Sequence, residues 1–248
     1  HLTVGSDVNP LHTDNFEEVS FGPILYGAKK LGMHIHTRYE VSNNAGQDIC
    51  DIVNNEGFDF LLVGSGISMS DSPDDIAATR YRTSFYNRYF KRFKAPESWF
   101  YPGALLKDKT KMFIARSNCD VGVFINRNFV KATNTLVVIS SEEDLFLLDY
   151  TRTLLKATHG SVGIVAKMST TTPGHDQILK ELWDFVSSIP QTQLLPDKDL
   201  TPGLFNSYNF MLIGYNTWND VSEHRKEALQ KMPSTLILNK NRRSSSDN

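Results

Sequence analysis

A strand–helix pattern that occurs twice restricts the folds open to this chain. The stretch FDFLLVG at residues 58–64 parallels YNFMLIG at residues 208–214, because each places an aromatic residue, a polar residue and Phe before an apolar run that ends in Gly. A helical segment and a final apolar strand follow each copy. These strands, CDVGVFINR at 119–127 and STLILNK at 234–240, both end in Asn and a basic residue. The pattern predicts a two-fold repeat of one α/β unit.

Strand-like and helix-like segments alternate along the rest of the chain. The run at residues 58–63, apolar except at Asp59, is typical of a parallel strand that is buried on both faces. A helix is predicted near 220–231, and residues 190–202, with three prolines, are expected to form an irregular loop. The fold class is therefore α/β: two tandem Rossmann-like units with mostly parallel sheets flanked by helices. Further strands are predicted at residues 33–41, 135–139, 162–166, 210–213 and 235–238.

The repeat divides the chain into two unequal units. Residues 1–130 are predicted to form the first unit, with an insertion at about 67–104, and residues 131–240 the second, shorter unit. Residues 241–248 are polar or charged throughout, and we expect a disordered tail there.

The composition excludes several classes of protein. A formal net charge of −2 over 248 residues gives no general attraction to nucleic acid or to anionic lipid. Two cysteines, Cys50 and Cys119, are too few for a disulfide framework or a cysteine-rich zinc site. No apolar run approaches the roughly 20 residues that a membrane-spanning helix needs. The chain starts at His1, and we expect it to be a piece of a longer protein.

The strongest signal for a ligand site follows the predicted strand at residues 58–63. Gly64, Ser65 and Gly66 stand at its carboxyl end, where open α/β sheets bind ligands. Backbone N–H groups at the two glycines could approach the phosphate of a nucleotide. The dinucleotide fingerprint is incomplete, because Met69 stands where its third glycine would be, and no Walker sequence follows. A tight turn after a strand explains the same glycines.

Other side chains that could carry chemistry have structural explanations. His34 and His36 share one face of a predicted strand, but no third metal ligand accompanies them, so no metal site is expected. Ser141 and Asp144 have the spacing of a helix capping box. Cys119 is interpreted as a structural thiol. Because no nucleophile, metal set or general base can be recognised, the chain is predicted not to be an enzyme.

One segment, residues 79–103, combines basic and aromatic side chains. Four of its aromatic residues have helical spacing and could form one packed face: Tyr81, Phe85, Tyr89 and Phe93. Six cations precede its first acid, and they are Arg80, Arg82, Arg88, Lys91, Arg92 and Lys94. Packing against this or a neighbouring domain is the favoured role. Contact with an anionic membrane surface is the next alternative, and nucleic acid is the least favoured partner.

Three stretches of the chain resemble one known family. They are QDICDIVNNEGFDFLLVG at 47–64, NCDVGVFINRNF at 118–129 and TLVVISSEEDLFLLDYTRTLLK at 135–156. Each resembles a segment of the cytosolic C-terminal region of eukaryotic CHX-type monovalent cation/proton antiporters, with the fungal potassium/proton antiporters as the most similar members. The matches follow the family's order and cover roughly residues 45–170.

The resemblance implies a function. The chain would be a pair of universal-stress-protein-like units attached to the membrane transport domain of the same polypeptide. Such a region lies on the cytosolic face of an intracellular membrane, at the Golgi or endosomes. It would regulate the exchange of potassium or sodium for protons, and hence cation and pH homeostasis. A homodimer and contact with the membrane surface stay open, and no nucleic-acid partner is implied.

Differences from the family pattern bear on ligand binding. Ser140 and Ser141 stand where the family has two glycines after a strand, which disfavours close backbone approach to a ligand. Asn118 replaces a proline. Universal stress proteins that bind ATP carry Gly-x-x-Gly and a later Gly-Ser/Thr, and the spacing of Gly64 and Gly66 differs from that. A nucleotide-sensing module is therefore the alternative function, and no other cofactor is expected.

Overall fold

The protein alternates helices and strands along its length. The computed structural model describes residues 2–3, 13–38, 40–42, 44–64, 109–168, 173–196, 200–224 and 231–241. The predicted insertion and its six cations lie outside these residues, as do Ser65 and Gly66. None of the helices in the described ranges combines the length and the apolar character that a bilayer crossing requires.

The first half of the described chain contains seven elements. They are β1 Leu2–Thr3, α1 Thr13–Lys30, β2 Glu40–Val41, α2 Ala45–Glu56, β3 Phe60–Gly64, α3 Lys109–Arg116 and β4 Asp120–Ile125. The second half begins with β5 Asn134–Ile139, a 3-10 helix at Glu142–Asp144, α4 Leu147–Thr158 and β6 Ser161–Ala166. It continues with α5 His175–Ser188, β7 Thr192–Pro196, α6 Pro202–Phe205, β8 Phe210–Gly214, α7 Tyr215–His224 and β9 Ser234–Asn239.

Strands from both halves form one sheet. Seven strands lie in the order β3-β4-β9-β8-β5-β6-β7, and every neighbouring pair is parallel except β4 and β9. The short strands β1 and β2 pair with each other in parallel, apart from this sheet. The predicted fold class, α/β with a mostly parallel sheet flanked by helices, is confirmed, and the two halves share a single sheet.

Apolar side chains fill both sides of the sheet in the second half. Leu136, Val137, Val138 and Ile139 of β5 are fully buried and alternate between two core layers. One layer packs against α7, chiefly through Trp218, and the other packs against α4 and α5. Because both faces are covered, β5 is a continuous apolar run rather than an alternating one.

The two halves are related by a local two-fold axis at their last strands. Phe60 lies opposite Asp120 in the β3–β4 pair, and Phe210 lies opposite Ser234 in the β8–β9 pair, so the two pairs have the same register. The antiparallel β4–β9 pair is centred on Val123, which faces Ile237. The assignment of residues 1–130 and 131–240 to separate units stays a prediction, but their last two strands are arranged alike.

The register corrects one detail of the predicted repeat. The sequence match makes Asn126 and Arg127 in the first copy equivalent to Asn239 and Lys240 in the second. The strand pairing instead makes Asp120 equivalent to Ser234, so that Asn126 corresponds to Lys240. A shift of one residue moves every side chain to the other face of a strand. The equivalent positions in the two copies are therefore those whose side chains lie on the same face of the sheet. The Asn that both sequences share is one position out of this register.

Three predicted elements differ from the structure. Residues 33–38, predicted as part of a strand, are irregular and largely exposed, and among the described residues of that predicted strand only Glu40–Val41 pairs. Residues 190–202, predicted as a loop, contain β7, which is short and lies at a sheet edge, where its terminal proline is tolerated. The helix predicted near residue 220 begins earlier, at Tyr215, and no loop separates it from β8.

Candidate functional site

The sheet reverses its direction of winding between β5 and β8. From β5 the chain proceeds outward through β6 and β7, and then returns to β8 on the other side of β5. The carboxyl ends of such neighbouring strands border the crevice where doubly wound α/β proteins bind ligands. Ser140 follows β5 there, and Gly214 ends β8 immediately before α7.

A buried carboxylate occupies this crevice. Asp144 is only 2% exposed, and its Oδ2 accepts hydrogen bonds from the backbone N–H of Ser140 at 2.8 Å and from Thr217 Oγ1 at 2.6 Å. The hydroxyl of Ser140 donates to the same oxygen at 3.1 Å and also contacts the Thr217 hydroxyl. A negative charge beside the first turn of α7 is favoured by the helix dipole. Asp144 thus stands where a ligand's anionic group would bind.

Position 214 has no room for a side chain, because Asp144 lies against the backbone there. A Cβ at Gly214 would overlap Asp144 Oδ1 and would stand 3.1 Å from Asp144 Cγ. Glu143 and Asn216 add a second link between the 3-10 helix and α7, through a hydrogen bond of 2.8 Å from Asn216 Nδ2 to Glu143 Oε2. The crevice is therefore closed by the protein's own side chains.

The same geometry corrects the predicted capping box. Ser141 makes no side-chain hydrogen bond at the start of the 3-10 helix. Asp144 turns inward to Ser140 and Thr217 instead of back to the Ser141 backbone. The contacts with α7, which is 73 residues away in sequence, determine its orientation. Apart from the capping-box spacing, nothing in the sequence distinguishes Asp144 from Glu142 and Glu143 beside it.

An open, acidic cleft adjoins the crevice. Its volume is about 710 Å³, and it is bordered by the 3-10 helix, α4, α5 and the end of β9. Among its cations, Arg152 is paired with Asp149 at 3.0 Å and lies over the ring of Phe185. The surplus of negative charge disfavours a phosphate group there. Its carboxylates are Glu142, Glu143, Asp144, Asp149, Glu181 and Asp184.

The predicted ligand site after β3 is described only in part. Gly64 ends β3 and occupies the position that Gly214 occupies at the end of β8. Ser65 and Gly66 lie outside the described residues, so nucleotide binding at Gly64, Ser65 and Gly66 stays a prediction. The contacts of Arg80, Arg82, Arg88, Lys91, Arg92 and Lys94 likewise lie outside the described part of the chain.

The remaining candidate residues have ordinary surroundings. His34 and His36 are exposed in an irregular stretch. No group of three or more potential metal ligands occurs within the residues that the structure describes. Cys50 and Cys119 are buried and unpaired by a disulfide, and burial raises the pKa of both thiols. A buried thiol with a raised pKa is a poor nucleophile, in line with the structural role predicted for Cys119.

The junction of the two halves contains polar contacts that sequence reasoning missed. Asp120, at the start of β4, accepts a hydrogen bond from Tyr150 of α4 at 2.9 Å and from the backbone N–H of Asn241 at 2.7 Å. At the equivalent place after β4, the backbone N–H of Arg127 donates to Ser234 Oγ at 2.8 Å. The two last strands thus bind each other's following residues in a nearly symmetric way.

These contacts, which we call the junction bonds, include the first residue of the predicted tail. Asn241 was predicted as its first disordered residue, yet its backbone binds Asp120 and its side chain donates to the carbonyl of Ser117 at 2.9 Å. Residues 242–248 lie outside the described part of the chain. Residues that bind each other across more than 100 positions leave no local pattern in the sequence. The sequence therefore shows only that these residues are polar.

Replacing Tyr150 by phenylalanine tests the junction bonds. Losing the hydroxyl that donates to Asp120 should lower the free energy of unfolding by about 1 kcal/mol. Burial, followed by the bond to Asp120 and its charge, raises the pKa of Tyr150. A tyrosine whose pKa is higher in the folded state than in the unfolded state stabilises the fold at pH values below its ordinary pKa near 10. This stabilisation is lost as the pH rises above 10. Urea unfolding from pH 8 to 11 should therefore show a steeper loss in the wild type.

The control for this measurement is Tyr26→Phe, at an exposed tyrosine on α1. That variant should unfold as the wild type does at pH 8. Equal stability of Tyr150→Phe and the wild type at neutral pH, together with parallel curves above pH 10, would show that the bond to Asp120 contributes nothing.

The fold has solved counterparts of low sequence identity. A universal stress protein from Archaeoglobus fulgidus aligns over 97% of this chain and 84% of its own, with a TM-score of 0.52 and 10% identity. The cytoplasmic domain of a prokaryotic cation chloride cotransporter aligns over 97% of this chain and 83% of its own, with a TM-score of 0.53 and 9% identity. A putative universal stress protein from Pseudomonas aeruginosa gives a TM-score of 0.50 and 11% identity.

Sequence comparison adds no further relatives. No family model matches the chain, and no curated protein matches it. At identities of 9–11% the similarity is one of structure. It bears out the Rossmann-type, universal-stress-protein-like fold that the sequence resemblance implies. The chain therefore has a universal-stress-protein-like α/β fold.

Proposed function

We propose that this chain is the cytosolic regulatory domain of a transporter that exchanges potassium or sodium for protons across an intracellular membrane. The observation that carries the proposal is its structural similarity, along nearly the whole chain, to the cytoplasmic domain of a cation chloride cotransporter. We propose a cation/proton antiporter because three stretches of the chain resemble CHX-type antiporters. These stretches are residues 47–64, 118–129 and 135–156.

The proposed role is regulatory rather than catalytic. The crevice at β5 and β8 is filled by Asp144 and bordered by an acidic cleft, so it offers no open position for an anionic substrate. The two cysteines are buried, and both have raised pKa values. A domain of this kind acts through its contacts with the transport domain, and it influences transport by changing those contacts.

The proposed partner is the membrane transport domain of the same polypeptide, at the cytosolic face of the Golgi or endosomes. The basic-aromatic segment at 79–103 is the proposed contact with that domain or with the membrane surface. Each cation in that segment adds attraction to an anionic surface, and the attraction weakens as salt screens it.

The test is a transport assay of the whole protein with and without this domain. Vesicles that contain the full-length protein are loaded with a pH-sensitive dye, and cation-driven proton flux is measured at several pH values. Deleting residues 1–248 should change the pH dependence or the rate of exchange. The control carries Tyr150→Phe, which keeps the domain in place and weakens only the junction bonds.

Two outcomes would contradict the proposal. Unchanged flux, pH response and intracellular location after the deletion would remove the regulatory role. A full-length protein that moves no cation in exchange for protons would remove the antiporter assignment, even if the deletion altered some other activity.

A further inference from the structure

Two equivalent strands of the sheet have different numbers of neighbours. In the second half, β8 lies between β9 and β5, and both pairings are parallel. In the first half, β3 has the same parallel pairing with β4, in the same register. Within the described residues β3 has no strand on its other side. The backbone groups on that edge form a template to which a further strand can bind.

The apolar side chains of β3 reflect this difference. Leu62 corresponds to Leu212, since each lies two residues after the Phe that begins its strand and two before the Gly that ends it. Leu212 is 2% exposed, whereas Leu62 is 57% exposed. Leu212 owes its burial to neighbours on β5 and to the apolar side of α4, which lie in the same core layer. Leu62 has the same chemistry without that cover.

The order of elements shows which part is missing around β3. The second half has the sequence β6-α5-β7-α6-β8-α7-β9, and the first half has β1-α1-β2-α2-β3-α3-β4. The parallel pair β1–β2 corresponds to the parallel pair β6–β7. These two series match element by element. Among the described residues, β5 and α4 are the only elements of the second half, apart from the short 3-10 helix, without a counterpart in the first.

A cleft lies where this counterpart would fit. Its volume is about 510 Å³, and its lining comes from β3 and α2 on one side and from α1 and the residues before β2 on the other. The side chains that line it are mainly apolar, among them Ile24, Ile35, Ile49, Ile52 and Phe60. In the second half, the space between β8 and β6 is filled by β5.

We propose that the free edge of β3 binds a parallel, apolar strand that precedes β1 in the same polypeptide and is followed by an amphipathic helix. The strand would lie against β3 as residues 135–138 lie against β8. The helix would cover Leu62 as α4 covers Leu212. With this strand in place, β1 and β2 join the main sheet, and the first half has the same strand order as the second. The solved counterparts, of which 82–84% is matched by this chain, each contain additional length.

The chain order selects this occupant over others. In the second half, β5 and α4 come before β6, so the equivalent strand and helix come before β1. A strand from residues 65–108 would follow β3 instead of preceding β1, which is an order that the second half does not use. A strand from a second copy needs no connection within the chain, and the dependence of labelling on protein concentration distinguishes it. Parallel strands joined by one helix cross over in a single hand, which is the connection proposed here.

The experiment measures the accessibility of a thiol on β3. Leu62→Cys is made in the 248-residue chain and in the natural polypeptide that includes the preceding segment, and its rate of maleimide labelling is compared. The native Cys50 and Cys119 add little background, because both are buried and burial raises their pKa values. Val130→Cys, at a residue that is 92% exposed and does not line the cleft beside β3, serves as the matched control.

In the longer polypeptide, labelling of Leu62→Cys should be slower by about tenfold or more, because the thiol then reacts only after local opening. Val130→Cys should label equally in both chains. A synthetic peptide with the sequence of residues 133–140, used as a probe strand, should also slow the labelling of Leu62→Cys in the 248-residue chain.

Three results would overturn the proposal. Equal labelling of Leu62→Cys in the two chains would show that no preceding segment covers β3. Protection in the 248-residue chain at every protein concentration would assign the cover to other residues of that chain. Protection that rises with protein concentration would assign it to a second copy.

Discussion

Replacing Gly214 by alanine is expected to lower the free energy of unfolding by about 2–5 kcal/mol. The added Cβ would overlap the carboxylate of Asp144 at the end of β8. A surface side chain could move aside, but this carboxylate is buried and holds hydrogen bonds from Ser140 and Thr217. Either the strand shifts or those bonds break, and both are costly. Urea unfolding at neutral pH, followed by circular dichroism, measures the difference.

The matched control is another glycine-to-alanine change without such a neighbour. Gly27 lies inside α1, and a Cβ there would meet nothing within 4 Å. Alanine is the better helix former, so Gly27→Ala should be neutral or should stabilise by up to about 1 kcal/mol. If Gly214→Ala behaved like Gly27→Ala, Asp144 would have to be free to move, and the crevice would not be closed as described.

The pairing of β4 with β9 affects how the protein can associate. In each half the last strand would otherwise be a sheet edge with unpaired backbone groups, and such edges invite pairing with other chains. Here each last strand uses its free edge to bind the other. Among the described strands, β3 and β7 are the edges that remain. The edges of β4 and β9 are therefore not open to strand pairing with a second copy.

The strands that the sequence predicts well are those buried on both faces. The apolar runs at 135–139, 162–166, 210–213 and 235–238 coincide with β5, β6, β8 and β9, because central parallel strands need apolar residues at every position. Edge strand β7 was missed because it is short and ends in proline. Residues 33–41 have an alternating pattern, but of those that the structure describes two pair.

The candidate site was harder to predict than the fold. Asp144 becomes distinctive only through contacts with Thr217 and Gly214, which lie far along the chain and meet it because β8 returns beside β5. The glycines at 64 and 66 are the visible signal in the sequence, and a ligand site there stays a prediction. The crevice that the structure describes lies at Gly214, the equivalent of Gly64. A repeat with one shared sequence pattern can place its polar residues differently in each copy.

Replacing Asp144 by alanine is the second change with a large expected effect. It removes the acceptor of the half-buried Ser140 backbone N–H, which then has lost its bond to the carboxylate, and it should cost about 2–3 kcal/mol of unfolding free energy. The hydroxyls of Ser140 and Thr217 can still bond each other, which limits the loss. Asp144→Asn keeps a neutral acceptor and should cost less. Glu142→Ala, on the exposed side of the same 3-10 helix, removes the same charge and should change stability by no more than about 0.5 kcal/mol.

A double-mutant cycle then measures the coupling energy between Asp144 and Gly214 apart from the effect of each single substitution. If Gly214 is small because of Asp144, Gly214→Ala should be much less costly once Asp144 is alanine, since the atom that its Cβ would overlap is gone. Two residues in direct contact typically show coupling of about 0.5–3 kcal/mol, and we expect a value in the upper part of that range. Additive effects, with coupling near zero, would mean that the two residues act independently. In that case the size of Gly214 would be determined by the turn from β8 into α7 and not by the carboxylate.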